Sequence, residues 1–310
     1  MVINRVFIAP YRKLCQMSNP PQDDDPAVMD QAIMDQAGLE IKGPDLAGLD
    51  VTHDHLLGAR VAVTQPADGF RVGTDAVLLN AAVLENRGRL LDLGTGVGGV
   101  ALCAAYRLDR LQVTAVEIDP HLAALARHNA GQNGLDDRLR VLTADIAHLP
   151  PVLADSFDHV VSNPPYHYPA GTRPDHHRRE KAHMADGDGL AGWVRAAVWA
   201  AKSRGRISFI CRADRGAELI HLFAAAGAGE AVVFPLWPRA AVPAGRVIVS
   251  VRKRVAGPGA ILPGLVLHNA DGSFTAAAAA IMKGAALPID HPARRQRPRH
   301  ISEPPTKEPL

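Results

Sequence analysis

The stretch RLLDLGTGVGG, residues 89–99, decides how the rest of the chain reads. RLLDL is mostly apolar, as in a strand buried on both faces of a sheet. Glycines then stand at 94, 96, 98 and 99, where the backbone can turn sharply and approach a ligand without interference from a Cβ. The apolar segment VALCAAY, residues 100–106, continues as a helix whose first amide groups lack partners within the helix. The spacing is D-x-G-x-G-x-G rather than G-x-G-x-x-G. It suits an amino-acid moiety lying against the loop better than a pyrophosphate on a helix end.

Outward from this unit, strand and helix alternate. LQVTAVE (111–117), LRVLTAD (139–145), FDHVVSN (157–163), GRISFIC (205–211), 230–236 and 246–253 read as further strands. Asp119 and Pro120 supply an N-cap and a first-turn proline for one helix, and others are expected near 188–202 and 214–226. The pattern predicts an α/β fold: a Rossmann-like, seven-stranded, mostly parallel sheet, with an antiparallel last strand because no helix-length connector precedes it. Ordered chain is expected from near Leu56, with a strand over the second half of residues 56–63. A helix starting at Ala76 is expected to take Thr74 or Asp75 as its N-cap, and the alanines at 276–280 to begin another. The domain expectation is a mostly disordered leader over 1–50, one catalytic domain over 51–287, and a basic, proline-rich disordered tail over 288–310.

Composition sets limits. Of 310 residues 47% are hydrophobic, enough for a sizeable core, and the formal charge of +2 gives no global polyanion-binding signature. Cys15, Cys103 and Cys211 are scattered and odd in number, which argues for reduced thiols in a cytoplasmic protein rather than a disulfide framework or a cysteine zinc site. No apolar run approaches the roughly 20 residues that span a bilayer. The N-terminal MVINRVFIAPYRKLCQ is broken by Arg5, Pro10 and Arg12, so it reads as untargeted, and Met17 is a candidate second start.

Acidic residues end three consecutive strands. Asp92 precedes the glycine loop. Glu117 ends the next strand, where a carboxylate accepts hydrogen bonds from ribose hydroxyls, and Asp145 ends the third, in register for an adenine amino group. Together they point to a cofactor containing adenosine.

Asn163-Pro164-Pro165-Tyr166 follows directly on the fourth strand. With the D-x-G-x-G-x-G loop it resembles class I methyltransferases that act on planar nitrogens: adenine N6, guanine N2 or a glutamine amide. Conjugation makes such an amine a poor nucleophile. Acceptors aimed at its two protons, the Asn163 side-chain carbonyl and the Pro164 backbone carbonyl, push electron density back to nitrogen. The prolines keep those acceptors rigid, and Tyr166 offers a stacking face. Further upstream, Gln65-Pro66 and Gly69-Phe70-Arg71-Val72-Gly73-Thr74-Asp75-Ala76-Val77-Leu78-Leu79 resemble the entry to the bacterial tRNA1(Val) adenine-N6-methyltransferase family. Arg179 through His183 with Leu190, and residues 266–275, are also similar, so the resemblance covers about 52–287.

The resemblance implies S-adenosyl-L-methionine as cofactor, an RNA substrate with tRNA favoured, and an adenine beside the anticodon as target. It implies that Asn163, Pro164, Pro165 and Tyr166 are catalytic. The cofactor set is then Asp92, Gly94, Thr95, Gly96, Gly98, Glu117, Ile118, Asp145 and Asn163, with Phe70 and Thr74 in a lid over its methionyl end. Protein glutamine N5-methylation, rRNA guanine N2-methylation and a non-catalytic RNA-binding module stay as alternatives. The first lacks support from a helical N-terminal domain, and the last is opposed by the complete motif set.

The basic stretch 173–181 beside NPPY is expected to meet phosphates. His176, His177 and His183 lack a metal-ligand spacing, so no metal is expected. Arg252-Lys253-Arg254 reads as a solubilising strand end, and the arginines after Pro288 as a nonspecific RNA-binding tail. Oligomeric state is not legible.

Overall fold

The computed structural model describes residues 49–69, 71–165 and 189–292. An antiparallel hairpin comes first: β1 (Val51–Leu56) pairs with β2 (Val61–Pro66), and α1 (Thr74–Asn80) follows. The central run is β3 (Arg87–Leu93), α2 (Gly99–Arg107), β4 (Arg110–Glu117), α3 (Pro120–Gln132), β5 (Leu139–Thr143) and β6 (Phe157–Ser162). Then come α4 (Leu190–Ala200), β7 (Ala201–Arg212), α5 (Gly216–Ala225), β8 (Ala228–Arg239) and β9 (Arg246–Lys253). Short strands β10 (Ala260–Ile261) and β11 (Leu265–His268) and helix α6 (Ala276–Met282) complete the described chain.

The main sheet has the order β10-β8-β9-β7-β6-β3-β4-β5, with β11 also paired to β8. Strands β7, β6, β3, β4 and β5 are parallel neighbours, and β9 runs antiparallel between β7 and β8. These are the seven expected strands with the expected antiparallel last member. The sheet is extended to nine by β10 and β11, which are too short to carry a pattern in sequence. The chain winds from β3 through β4 to β5, then returns to place β6 on the other side of β3. The β3–β6 boundary is therefore the topological switch point, where open α/β sheets bind ligands at the carboxyl ends of their strands.

Alternate residues of each strand face opposite layers. Leu90, Val113, Ala115, Val161 and Ile210 join α1, α2, α3 and α6 in one continuous core. On the other face Phe209 meets Phe223 of α5 edge-on at 5.3 Å, and α4 packs beside α5. Leu90, Leu91 and Leu93 are all fully buried, as an apolar run covered on both faces requires.

Three expectations need correction. The first helix begins at Thr74 with Gly73 as N-cap and no side-chain capping bond. Asp75 instead accepts from Arg246 Nε at 3.1 Å, because a distant cation outcompetes the local amide. Lys253 is not a solubilising strand end: it is 6% exposed, and its ammonium bonds Asp155 at 2.6 Å. Ordered chain begins before Leu56, since β1 pairs along its whole length with β2. Asp119 does cap α3, accepting from His121 and Leu122, with Pro120 in the first turn. Leu287, Ile289 and His291 are buried, so packed chain reaches past Pro288.

Candidate active site

Backbone hydrogen bonds first fix where each strand ends. Thr95 N–H donates to Val116 C=O and Ala144 N–H to Glu117 C=O, both at 2.9 Å, while Ser162 Oγ donates to Leu93 C=O at 2.9 Å. Leu93 is in register with both Val116 and Ser162, and Glu117 with Thr143. Gly94, Ile118, Ala144 and Asn163 therefore emerge side by side on one edge of the sheet, with the glycine loop and Asn163 flanking the switch point.

Asp92 is 1% exposed and points to the α2 side. It accepts from Thr95 Oγ1 at 2.6 Å and from the amide of Ala101 in the first turn of α2, so it ties the loop to the helix it opens. Burial raises its carboxyl to about 7, against the opposing effect of the Thr95 hydroxyl. Glu117 accepts from Gly96 N–H at 2.8 Å and Asp119 N–H at 3.0 Å. Burial raises its pKa above the ordinary carboxylate value. Each carboxylate oxygen still has lone pairs for a ligand hydroxyl. Asp145 caps a short 3-10 turn by accepting from Ala147 N–H at 2.9 Å. Ile118, beside Glu117, is 42% exposed, an apolar surface fit for a flat base.

Gly94, Gly96 and Gly98 have φ of 67°, 60° and 97°, left-handed backbone that explains the glycines. The space around them differs. A Cβ on Gly96 would meet nothing within 4 Å, so the loop is open there. On Gly94 it would lie 2.4 Å from Cη2 of Trp193 on α4. This half-buried indole rests on the first loop glycine, at the point where Asn163 emerges from β6, and sequence reading missed it. The open cradle at Gly96, the carboxylate beneath it and the apolar Ile118 fit an adenosine-bearing cofactor with an amino-acid tail.

The hairpin is fastened to this loop through a second residue that sequence reading missed. Asn129 of α3, fully buried, accepts from Thr64 N–H at 2.8 Å and donates to the carbonyls of Thr64 and Val97 at 2.9 Å each. Gln65 Oε1 accepts from Val72 N–H at 2.8 Å, and Val72 packs against Gly99. Thr74 is exposed at the start of α1. Pro164 is buried and Pro165 partly so. Phe70, Tyr166, the basic stretch 173–181, the three histidines at 176–183, Met17 and the C-terminal arginines lie outside the described residues. Cys103 and Cys211 are free and buried, with thiols pushed up to about 12 by burial. Among the described residues no group of three metal-ligating side chains occurs, and no helix is long and apolar enough to cross a membrane.

A parallel sheet with this strand order, a glycine loop at the switch point and Asn-Pro-Pro beside it define an S-adenosyl-L-methionine-dependent methyltransferase. Comparison with known proteins agrees. A family model, the methyltransferase small domain, matches residues 67–180. A Haemophilus influenzae protein (strain PittEE) named tRNA1(Val) (adenine(37)-N6)-methyltransferase is 34% identical over 160 residues, 51% of this chain and 68% of that protein. One of the same name from Actinobacillus succinogenes is 36% identical over 152 residues, 48% and 64% of the two chains. Among solved structures, a predicted O-methyltransferase from Agrobacterium tumefaciens superposes with a TM-score of 0.58 at 27% identity, covering 69% of this chain and 98% of that one. The chain belongs to the tRNA1(Val) (adenine(37)-N6)-methyltransferase family.

Proposed function

We propose that this enzyme transfers a methyl group to the exocyclic N6 of an adenine in RNA, with tRNA as the RNA and the adenine beside the anticodon as the target. The observation that carries the reading is the placement of Asn163 directly beside the glycine loop at the switch point, one residue after the Ser162–Leu93 contact. Acceptors that follow a strand end so fixed need little reorganisation during reaction.

In this reading Asp92, Gly94, Thr95, Gly96, Gly98, Glu117, Ile118 and Asp145, with Phe70 and Thr74 from the entry segment, hold the cofactor. When bound, the cofactor supplies a methyl group activated on a cationic sulfonium. The Asn163 side-chain carbonyl and the Pro164 backbone carbonyl accept the two amine protons. They orient the nitrogen lone pair and raise its nucleophilicity, and Tyr166 stacks on the base. The proton released after transfer goes to solvent, so no strong general base is required. Residues 51–287, together with the packed residues up to His291, form the catalytic domain, flanked by the leader and the basic tail, and the enzyme works in the cytoplasm, where tRNA is found.

The relatives' shared name supports adenine N6 over a protein amide. The test is to incubate the protein with methyl-labelled cofactor and separate pools of RNA and protein. Label in RNA, recovered as N6-methyladenosine, is the expected result. Label in protein glutamine would replace this reading.

A further inference from the structure

Helix α4 links the candidate active site to a second feature. Near its start Trp193 touches Gly94, while its last residue joins β7 at the amino-terminal edge of the parallel strands, where Ala201 pairs with Phe157. At that far end a groove of about 380 Å³ lies between the ends of α4, α5 and β9. Among the described residues its lining includes Arg195, Trp199, Gly227, Lys253 and Arg254, and the exposed Asp155 carboxylate is paired with Lys253 at its edge. Arg195 and Trp199 are four residues apart on α4, hence on one side of the helix. Trp199 is 38% exposed, a large flat apolar surface open to solvent.

The floor of the groove is built rigidly. Lys253 bonds the Asp155 carboxylate at 2.6 Å and the backbone carbonyls of Ala201 at 2.8 Å and Trp199 at 3.3 Å. It thereby clamps the end of β9 to the end of α4, and its own charge is neutralised. Arg254 follows with φ 53°, backbone that L side chains rarely adopt, and its N–H donates to Gly227 C=O at 2.9 Å. Its side chain is exposed at the groove. The result is an open indole flanked by two surface guanidinium groups.

We propose that this groove is a second RNA contact of the enzyme, in which an unpaired base stacks on Trp199 and the flanking phosphates meet Arg195 and Arg254. Guanidinium groups recognise phosphate oxygens without regard to sequence, and an exposed aromatic face stacks any base. An acidic peptide would match the arginines but leave the indole face without a flat partner. Trp193 and Trp199 are six residues apart, about 9 Å along the helix at 1.5 Å per residue. The groove lies at the opposite edge of the sheet from the candidate active site, so it meets a segment of the RNA distinct from the target nucleotide. The inference rests on the RNA reading of the active site.

The test is fluorescence anisotropy with labelled bulk tRNA over a sodium chloride series. Trp199→Ala is expected to weaken binding about 5- to 100-fold, and Trp199→Phe, which keeps a flat ring, to restore most of it. The pair Arg195→Gln and Arg254→Gln, both at exposed positions, is expected to lower the slope of log K against log salt by about 1.4, about 0.7 for each single-strand phosphate left without its arginine. Turnover at saturating RNA and the cofactor affinity should stay as in the wild type. Binding within twofold of wild type in both Trp199→Ala and the arginine pair, with an unchanged salt slope, would overturn the proposal. Should Trp199→Ala fail to fold, the arginine pair decides alone. Competition by polyglutamate as strong as by RNA, abolished in the same variants, would assign the groove to an acidic protein partner instead. Methyl incorporation into RNA by the wild type reports separately on the active-site reading.

Discussion

Gly94→Ala isolates the contact on which the geometry of the active site depends. The substitution adds one methyl group to a residue with φ 67°, at a point 2.4 Å from Cη2 and 2.7 Å from Cζ3 of Trp193. Left-handed backbone costs an L-residue about 1–2 kcal/mol. Relieving the overlap requires the indole or the loop to shift, at the cost of about 1–3 kcal/mol typical of an overpacked site. The sum is a destabilisation of about 2–5 kcal/mol. Gly96→Ala is the internal control: its φ of 60° gives similar strain, but its methyl group meets nothing within 4 Å. It should lose only about 1–2 kcal/mol of stability, yet bind cofactor poorly, because the added group enters the open cradle. Urea denaturation gives the stabilities, and calorimetric titration with S-adenosylhomocysteine gives the affinities. Trp193→Leu added to Gly94→Ala should recover the overlap part and leave the backbone part, a coupling of about 1–3 kcal/mol in a double-mutant cycle. A Gly94→Ala protein as stable as Gly96→Ala, or a cycle with no coupling, would refute the reasoning.

Other perturbations follow from the same geometry. In the ligand-free protein Asp92 keeps its proton up to about pH 7 when folded, against an ordinary 3.8. The native state then binds the extra proton between these values, so stability should fall as pH rises from about 4 to 7, by up to about 4 kcal/mol. Asp92→Asn retains an acceptor for Thr95 and should lose this slope in urea denaturation at pH 5 and 8; equal slopes would count against it. Asn129→Ala strips partners from the buried amide of Thr64 and from the carbonyls of Thr64 and Val97. It should cost about 2–4 kcal/mol and loosen the hairpin, read as faster amide exchange in β2. Asn163→Ala should abolish turnover while lowering cofactor affinity far less, because its carbonyl acts chiefly on the amine in the transition state; equal loss of both would contradict its assigned role.

Much of the fold is legible in sequence because parallel strands covered on both faces leave mostly apolar runs, as in Leu90, Leu91 and Leu93 around Asp92. The strand ends are legible because Glu117 and Asn163 are polar residues that close such runs. Elements without that signature are not. β1 reads VTHDHL, and its residues are half-buried or exposed, so no apolar alternation marks it. Asn129 looks like any polar helical residue until β2 is laid across α3, and Trp193 in an apolar helix reads as core. Lys253, at the end of a strand in a basic triplet, gives no sign that Asp155 and two carbonyls, distant in sequence, will bury it. In each case the deciding partner is far away in the chain.

The most direct test of the central claim uses cofactor carrying a trideuterated methyl group and an unmodified tRNA1(Val) transcript, followed by digestion to nucleosides and mass spectrometry. The account predicts trideuteromethyl-N6-adenosine with the wild-type enzyme and none with Asn163→Ala. Label on guanosine, on a ribose or on protein glutamine, or equal yield from the two enzymes, would contradict it.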